Sequence, residues 1–389
     1  MKIKSIKASV HQYAVTLPMI DKPLEHRHFV FCEVETDEGH TGSGLTGAFL
    51  PWAVVTTLEG DLLSVVRDMD PRDTEAIHSK VWWTLNPRAF TGVISNALSA
   101  LDIALWDIHG KMTGRTVAQL LGGYRDWAPS YITFGFPFFD NDQLVEYARK
   151  FVDEGNTRLK MVVAVDPGGW QEDARRIRVV RDAIGDDVQL MIDANYRFNP
   201  VDARLLCRAV EDCNLTWFEE PLHQNDARAL ADLRRHTNIP IAAGQMEGNR
   251  WRLRELVEHQ AVDILQPNCC YNGGFTESLK AAHLAQAYNL PIANGGGWPI
   301  FNMHVFAGLM NGWCVEFHWG MHKVGQQFFE NVPGPENDMV KLPDAPGLGF
   351  LPKYDALKES RVMSPDDLGE GGVRTRGTPK KGESGITKL

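Results

Sequence analysis

Asp193, Glu219 and Gln245 follow one another at equal steps of 26 residues, and each closes a short apolar run: "VQLMIDAN", "LTWFEEP" and "IPIAAGQ". Lys160 stands in a similar run, "TRLKMVVA". Two carboxylates and an amide oxygen are hard donors of the kind that suits Mg²⁺, an ion that keeps open positions for water or substrate. A helix cap or a surface ion pair would explain one acidic residue at a run end equally well. Three polar ends at a constant step argue instead for one shared site. In "WFEEP" two carboxylates are adjacent. Successive strand residues face opposite sides, so Glu219 is expected to meet the metal and Glu220 to pair elsewhere.

Arg158 and Lys160 lie two apart and share a face of their strand. A partly desolvated lysine beside another cation has a lowered pKa and can act as a base near neutral pH. The plainer alternative is that Lys160 is a structural counter-ion for Asp193 and Glu219. Beside a metal-bound carboxylate substrate, a basic Lys160 can remove the proton α to that carboxylate. The ene-diolate so formed needs strong electrostatic stabilisation, which a metal supplies.

Placing these residues together is a task for the whole chain. Eight apolar runs, "SYITFG", "TRLKMVVA", "VQLMIDAN", "LTWFEEP", "IPIAAGQ", "VDILQPN", "LPIANGG" and "WCVEFHW", alternate with helix-like stretches such as "WQEDARRIRVVRDAI". Strand–helix alternation predicts a parallel sheet, and eight repeats fit a closed (β/α)₈ barrel with its chemistry at the carboxyl ends of the strands. The competing open, doubly wound sheet lacks a glycine-rich fingerprint after its first strand. Ahead of the barrel, residues 1–125 read as an α+β domain, with strands in "KIKSIKASVHQYAV" and "HFVFCEVETDEGHTGSG" and a helix in "SNALSALDIALWDIHGKMTG". The barrel is expected over 126–325. Residues 326–389 read as a segment returning to the first domain, ending in a polar, glycine-rich tail expected to be poorly ordered. "TLPMIDKPLEHRH", between the first two strands, reads as a mobile loop.

With 389 residues, 43% of them hydrophobic, the chain can bury a large core and more than one domain. A net charge of −10 without a long basic run argues against nucleic acid, and no apolar stretch approaches a membrane span. The six cysteines form no C-x-x-C pair, so neither a zinc site nor a disulfide framework is indicated, and a reducing cytoplasm is expected.

The chain resembles the enolase superfamily, in the mandelate racemase / acid-sugar dehydratase group. The likeness rests on R-L-K at 158–160, I-D-A-N at 192–195, F-E-E-P at 218–221, A-A-G-Q at 242–245, D-I-L-Q-P-N at 263–268 and V-E-F-H at 315–318. It implies an N-terminal capping domain on a TIM-type barrel, Mg²⁺ on Asp193 and Glu219, a base at Lys160, and Glu316 near the substrate carboxylate or the developing oxyanion. It also implies a homo-oligomer.

Three departures from that pattern matter. The third metal position is Gln245 rather than a carboxylate, and Glu247, two residues on, is an alternative ligand. The histidine and aspartate that racemase-like members carry at the ends of the seventh and sixth strands are replaced by Gly295 and Asn268. The first member of the usual K-x-K pair is Arg158, which stays protonated and is a poor base. His318, two after Glu316, His26, His28 and Tyr131 are candidate acids, although each also has a structural explanation. Asn195 and Asn268, with His26 and His28, are candidate substrate contacts. Loss of the dyad points away from two-base racemisation and towards dehydration of a sugar acid to a 2-keto-3-deoxy acid. An epimerase, racemase or cycloisomerase on the same scaffold is the alternative, and a silent acid-binding barrel a third reading. The expected partner is a small carboxylate.

Overall fold

The computed structural model describes residues 1–15, 25–47, 49–85, 91–136 and 139–367. The loop expected to be mobile (16–24) and the tail beyond 367 lie outside these described residues.

Strands β1 (Ile3–Val15), β2 (Glu25–Thr36) and β3 (Thr41–Gly47) form an antiparallel sheet, and Arg361–Val362 adds the outer strand beside β1. Alternation gives the sheet two apolar faces. Ile6, Ala8, Val10, Val30, Cys32 and Val34 pack on the helices, chiefly Val93–Thr113. That helix lies so close to β3 that a Cβ on Gly44 would come 1.9 Å from the Ala100 carbonyl oxygen, which is why "TGSG" carries glycine there. The other face turns Phe29 towards the barrel, with ring centroids 5.0 Å from Phe328 and 6.0 Å from Trp298.

The eight apolar runs form the barrel as expected. Seven are strands: β4 (Trp127–Phe134), β5 (Arg158–Val162), β6 (Gln189–Asp193), β7 (Leu215–Glu219), β8 (Ile241–Ala243), β9 (Ile264–Leu265) and β10 (Val315–His318). The run "LPIANGG" joins through parallel bridges from Ile292 to Leu265 and Gly312, and β10 pairs with β4 to close the ring. Tyr131, Met191, Trp217, Ala242, Ile264, Ala293 and Cys314 form a buried apolar cluster drawn from seven of the eight runs. A hairpin through Met339–Lys341 pairs with the amino-terminal end of β4.

Cap and barrel meet at a buried polar joint. His78 Nε2 lies 2.7 Å from Asp102 Oδ1, and His78 Nδ1 lies 3.7 Å from Glu277 Oε1. Asp102 also accepts the Thr276 hydroxyl at 2.6 Å, and Arg250 pairs with Glu277. No described helix is long and apolar enough to cross a membrane. All six cysteines are buried free thiols.

Candidate active site

The barrel strands deliver their polar ends to one place. Lys160 is fully buried, and its Nζ lies 2.7 Å from Glu219 Oε1, 3.0 Å from Glu316 Oε1 and 3.4 Å from Asp193 Oδ2. Three carboxylates around one ammonium leave a formal excess of two negative charges in a desolvated space. Burial alone would lower the Lys160 pKa, but the fields of Glu219, Glu316 and Asp193 outweigh it and raise the group above the ordinary lysine value. The sequence-based expectation of a lowered pKa is therefore corrected. The reason is depth. Arg158 shares the face, but its guanidinium ends on Asp338 of the hairpin, 3.7 Å away, at the opposite end of the barrel. No second cation stands beside Lys160 among the described residues; anions do.

Each carboxylate is held. Glu219 Oε2 accepts from Trp217 Nε1 at 3.2 Å and from Gln266 Nε2 at 2.9 Å. Burial pushes its carboxyl up, against the opposing pull of Lys160. Glu316 Oε1 accepts the Thr133 hydroxyl and its Oε2 the Gly297 N–H, both at 2.6 Å. Although burial opposes it, the Lys160 charge keeps Glu316 below the usual carboxylate value. The Asn195 N–H donates to Asp193 Oδ1 at 2.9 Å, while the Asn195 backbone is left-handed with φ 47°.

Gln245 and Glu247 are separated clearly. Gln245 is buried, and its Oε1 has no hydrogen-bond partner. A Cβ built on Gly295 would lie 3.0 Å from Glu219 Oε1 and 3.1 Å from Gln245 Oε1, so both oxygens border one space. Glu247 turns away. Its carboxylate accepts from Arg252 Nε at 3.2 Å and Asn225 Nδ2 at 3.3 Å. β8 ends at Ala243 and Gly244 takes φ +128°, so strand alternation does not reach Glu247. Its assignment as a ligand is corrected on that ground. Glu220, buried and with φ 42°, accepts from Gln245 Nε2 at 2.5 Å and Asn225 Nδ2 at 3.1 Å.

The donor set fits Mg²⁺: two carboxylates, a buried amide oxygen lacking a donor, and an excess of negative charge.

Asn268, read from the sequence as a substrate contact, has its side chain bonded within the protein. Its Nδ2 donates to the Gly295 carbonyl at 2.6 Å, and its Oδ1 accepts from the Cys270 N–H and Asn302 Nδ2. It braces the glycine loop that stands where racemase-like members of the family were expected to carry a histidine. A side chain at Gly295 would meet Glu219, Gln245 and Gln266 at 3.0–3.1 Å. We expect Gly295→His to weaken Mg²⁺ affinity by crowding those donors, a change that calorimetry would show.

His318 ends β10, paired with Thr133, two residues nearer the barrel mouth than Glu316 and on the same face. Its ring lies 5.2 Å from Phe136. His26 is exposed on β2, lining a cavity of about 460 Å³ with Gln12, Tyr13, Gln327 and Arg361. His28 is buried on the same strand, and burial lowers its pKa. Neither stands on a barrel strand. Sequence reading missed Gln266, Thr133 and Trp217, which hold the carboxylates; the first ends "VDILQ", and the others lie two positions from site residues or their neighbours. It also missed Val162, which is in register with Asp193 and makes the position on β5 above Lys160 apolar.

A closed barrel with oxygen donors on adjacent strand ends and a lysine among them defines a metal-dependent acid–base enzyme scaffold. The family models agree. The mandelate racemase / muconate lactonizing enzyme N-terminal domain matches residues 6–122, and the enolase C-terminal domain-like model matches residues 143–356. The chain belongs to this family. It is 32% identical over 385 residues to a D-galactarolactone cycloisomerase of Agrobacterium fabrum, covering 94% of this chain and 100% of the relative. Among solved structures, an L-talarate dehydratase of Polaromonas sp. JS666, complexed with Mg and L-glucarate, superposes with TM-score 0.81 and 29% identity over 93% of this chain and 98% of that one. A racemase of Streptomyces coelicolor with bound magnesium gives TM-score 0.85 and 26% identity over 92% and 100%.

Proposed function

We propose that the protein removes the proton α to the carboxylate of a sugar acid in a Mg²⁺-dependent reaction, and that loss of the β-hydroxyl to give a 2-keto-3-deoxy acid follows. The observation that carries this reading is Lys160 Nζ set within 3.4 Å of three strand-end carboxylates, beside the unpartnered Gln245 oxygen. Asp193, Glu219 and Gln245 would hold the metal. Bound Mg²⁺ would polarise the substrate carboxylate and offset the carboxylate field that holds Lys160 protonated.

Lys160 then takes the α-proton, its position fixed by Glu316, which Thr133 and the Gly297 N–H hold in place. His318, nearer the mouth on the same face, gives a proton to the departing hydroxyl, which leaves as water. The enol left behind tautomerises to the keto acid. The L-talarate dehydratase crystallised with Mg and L-glucarate supports this reading. The Agrobacterium fabrum relative favours a second one, in which the same proton abstraction ends in cycloisomerisation.

The test is a screen of mono- and diacid sugars with Mg²⁺, reading 2-keto acid formation. His318→Asn should slow dehydration by roughly 10²–10⁴-fold while solvent deuterium still enters at the α-carbon. Deuterium entry without water loss in the wild-type protein would move the assignment to an isomerase. Unchanged dehydration in His318→Asn would remove His318 as the acid.

A further inference from the structure

An amide makes a poor metal ligand unless something decides which of its ends faces the ion. A carboxylate has two equivalent oxygens, but a glutamine can present either an oxygen or an NH₂ group. At Gln245 the choice is made by Glu220. Glu220 Oε2 accepts the Gln245 Nε2–H at 2.5 Å, and Glu220 Oε1 accepts from Asn225 Nδ2 at 3.1 Å. Both of its oxygens are therefore committed to amide donors, and both side chains of the pair are buried. With its nitrogen so held, Gln245 turns Oε1 to the space it shares with Glu219 Oε1, where it meets no donor. Glu220 can do this because its own backbone is left-handed, with φ 42°, which takes its side chain out of strand alternation after Glu219.

The geometry points to Glu220 as the positioning residue of the metal site: by holding the Gln245 NH₂ group it makes an amide serve as the third oxygen donor. This rests on the Mg²⁺ reading above. It also assigns a cost to the change that would make the site look ordinary. Gln245→Glu would set a second carboxyl group against Glu220 at hydrogen-bond distance, where the two can lie together only by taking up a proton that competes with the metal for the new carboxylate. The pair is expected to work in either polarity but not with two carboxylates. In the reciprocal arrangement, E220Q/Q245E, the amide at 220 donates to the new carboxylate and still accepts from Asn225.

The experiment is a double-mutant cycle on Mg²⁺ affinity, measured by calorimetry on the full chain without substrate. In the wild-type background Glu220→Gln should weaken binding by roughly 10- to 100-fold, the usual range for loss of an outer partner of a ligand. In the Q245E background the same substitution should tighten binding by a similar factor. A simple loss of one nearby negative charge would weaken binding in both. Weakening in both backgrounds, or no change in either, would overturn the inference. Should Glu220→Gln alone fail to fold, the comparison of Q245E with E220Q/Q245E decides by the same sign. Absence of Mg²⁺ binding by the wild-type protein would overturn the metal reading, and this inference with it, whereas binding without the reversal of sign overturns this inference alone.

Discussion

Lys160→Ala will abolish most turnover of whichever sugar acid the screen identifies, by on the order of 10²–10⁴-fold, the contribution typical of a positioned acid or base. It should also change the protein before any substrate is added. The ammonium is the cation that joins Asp193, Glu219 and Glu316 in a fully buried space. Removing one partner from a buried ion cluster costs about 3–5 kcal/mol, because the remaining charges are left uncompensated. The metal-free variant should therefore melt below the wild type, and Mg²⁺ should recover more of that loss than it adds to the wild type. Thermal melts with and without Mg²⁺, beside turnover and deuterium exchange, separate the two effects. If Lys160→Ala kept its turnover and its exchange, the proton would have to leave by another base.

The second large effect lies at the joint between cap and barrel. Burial alone would lower the His78 pKa, but Asp102 and Glu277 more than offset it and raise the group to about 9. The folded-state pKa is above the ordinary value of about 6.5, so the imidazolium favours the folded state. Its contribution is fully present below about pH 6.5 and is lost as pH rises through about 9, where the folded protein releases the proton. The size of that shift corresponds to about 3 kcal/mol. His78→Leu should thus destabilise the protein by about 3–5 kcal/mol at pH 6, and the gap to wild type should narrow by pH 9.5. Urea unfolding at the two pH values measures both. An equal gap at both would show that the histidine packs there without a charge.

Much of the architecture was legible because it is repetitive. Eight apolar runs at similar intervals required eight similar places, and the barrel supplies them. The spacing of Asp193, Glu219 and Gln245 announced a common ring for the same reason. What failed to show in the sequence was local geometry at the ends of those runs. Two residues along a strand share a face but stand about 6.6 Å apart, enough to send Arg158 to one end of the barrel and leave Lys160 in the middle. Strand alternation does not run from Gln245 to Glu247, because the positive φ of Gly244 has already ended the strand, and Glu247 swings out to Arg252. The His78 joint gave no signal at all, since its partners lie 24 residues away at Asp102 and far beyond that at Glu277. The bracing role of Asn268 gave no signal either, because the Gly295 and Cys270 peptides it holds are invisible to a pattern of side chains.

The outer strand of the cap has a consequence for how the chain is made. Val10 pairs with Val362 and His11 with Arg361, so this stretch of the first strand finds its outer neighbour only after the barrel segment between them has been synthesised. Until then the Val10–His11 stretch of β1 has an open edge, the kind of edge that recruits strands from other molecules. Contacts of such long sequence separation form slowly. That part of the cap is therefore completed only after the barrel segment between its two strands has emerged.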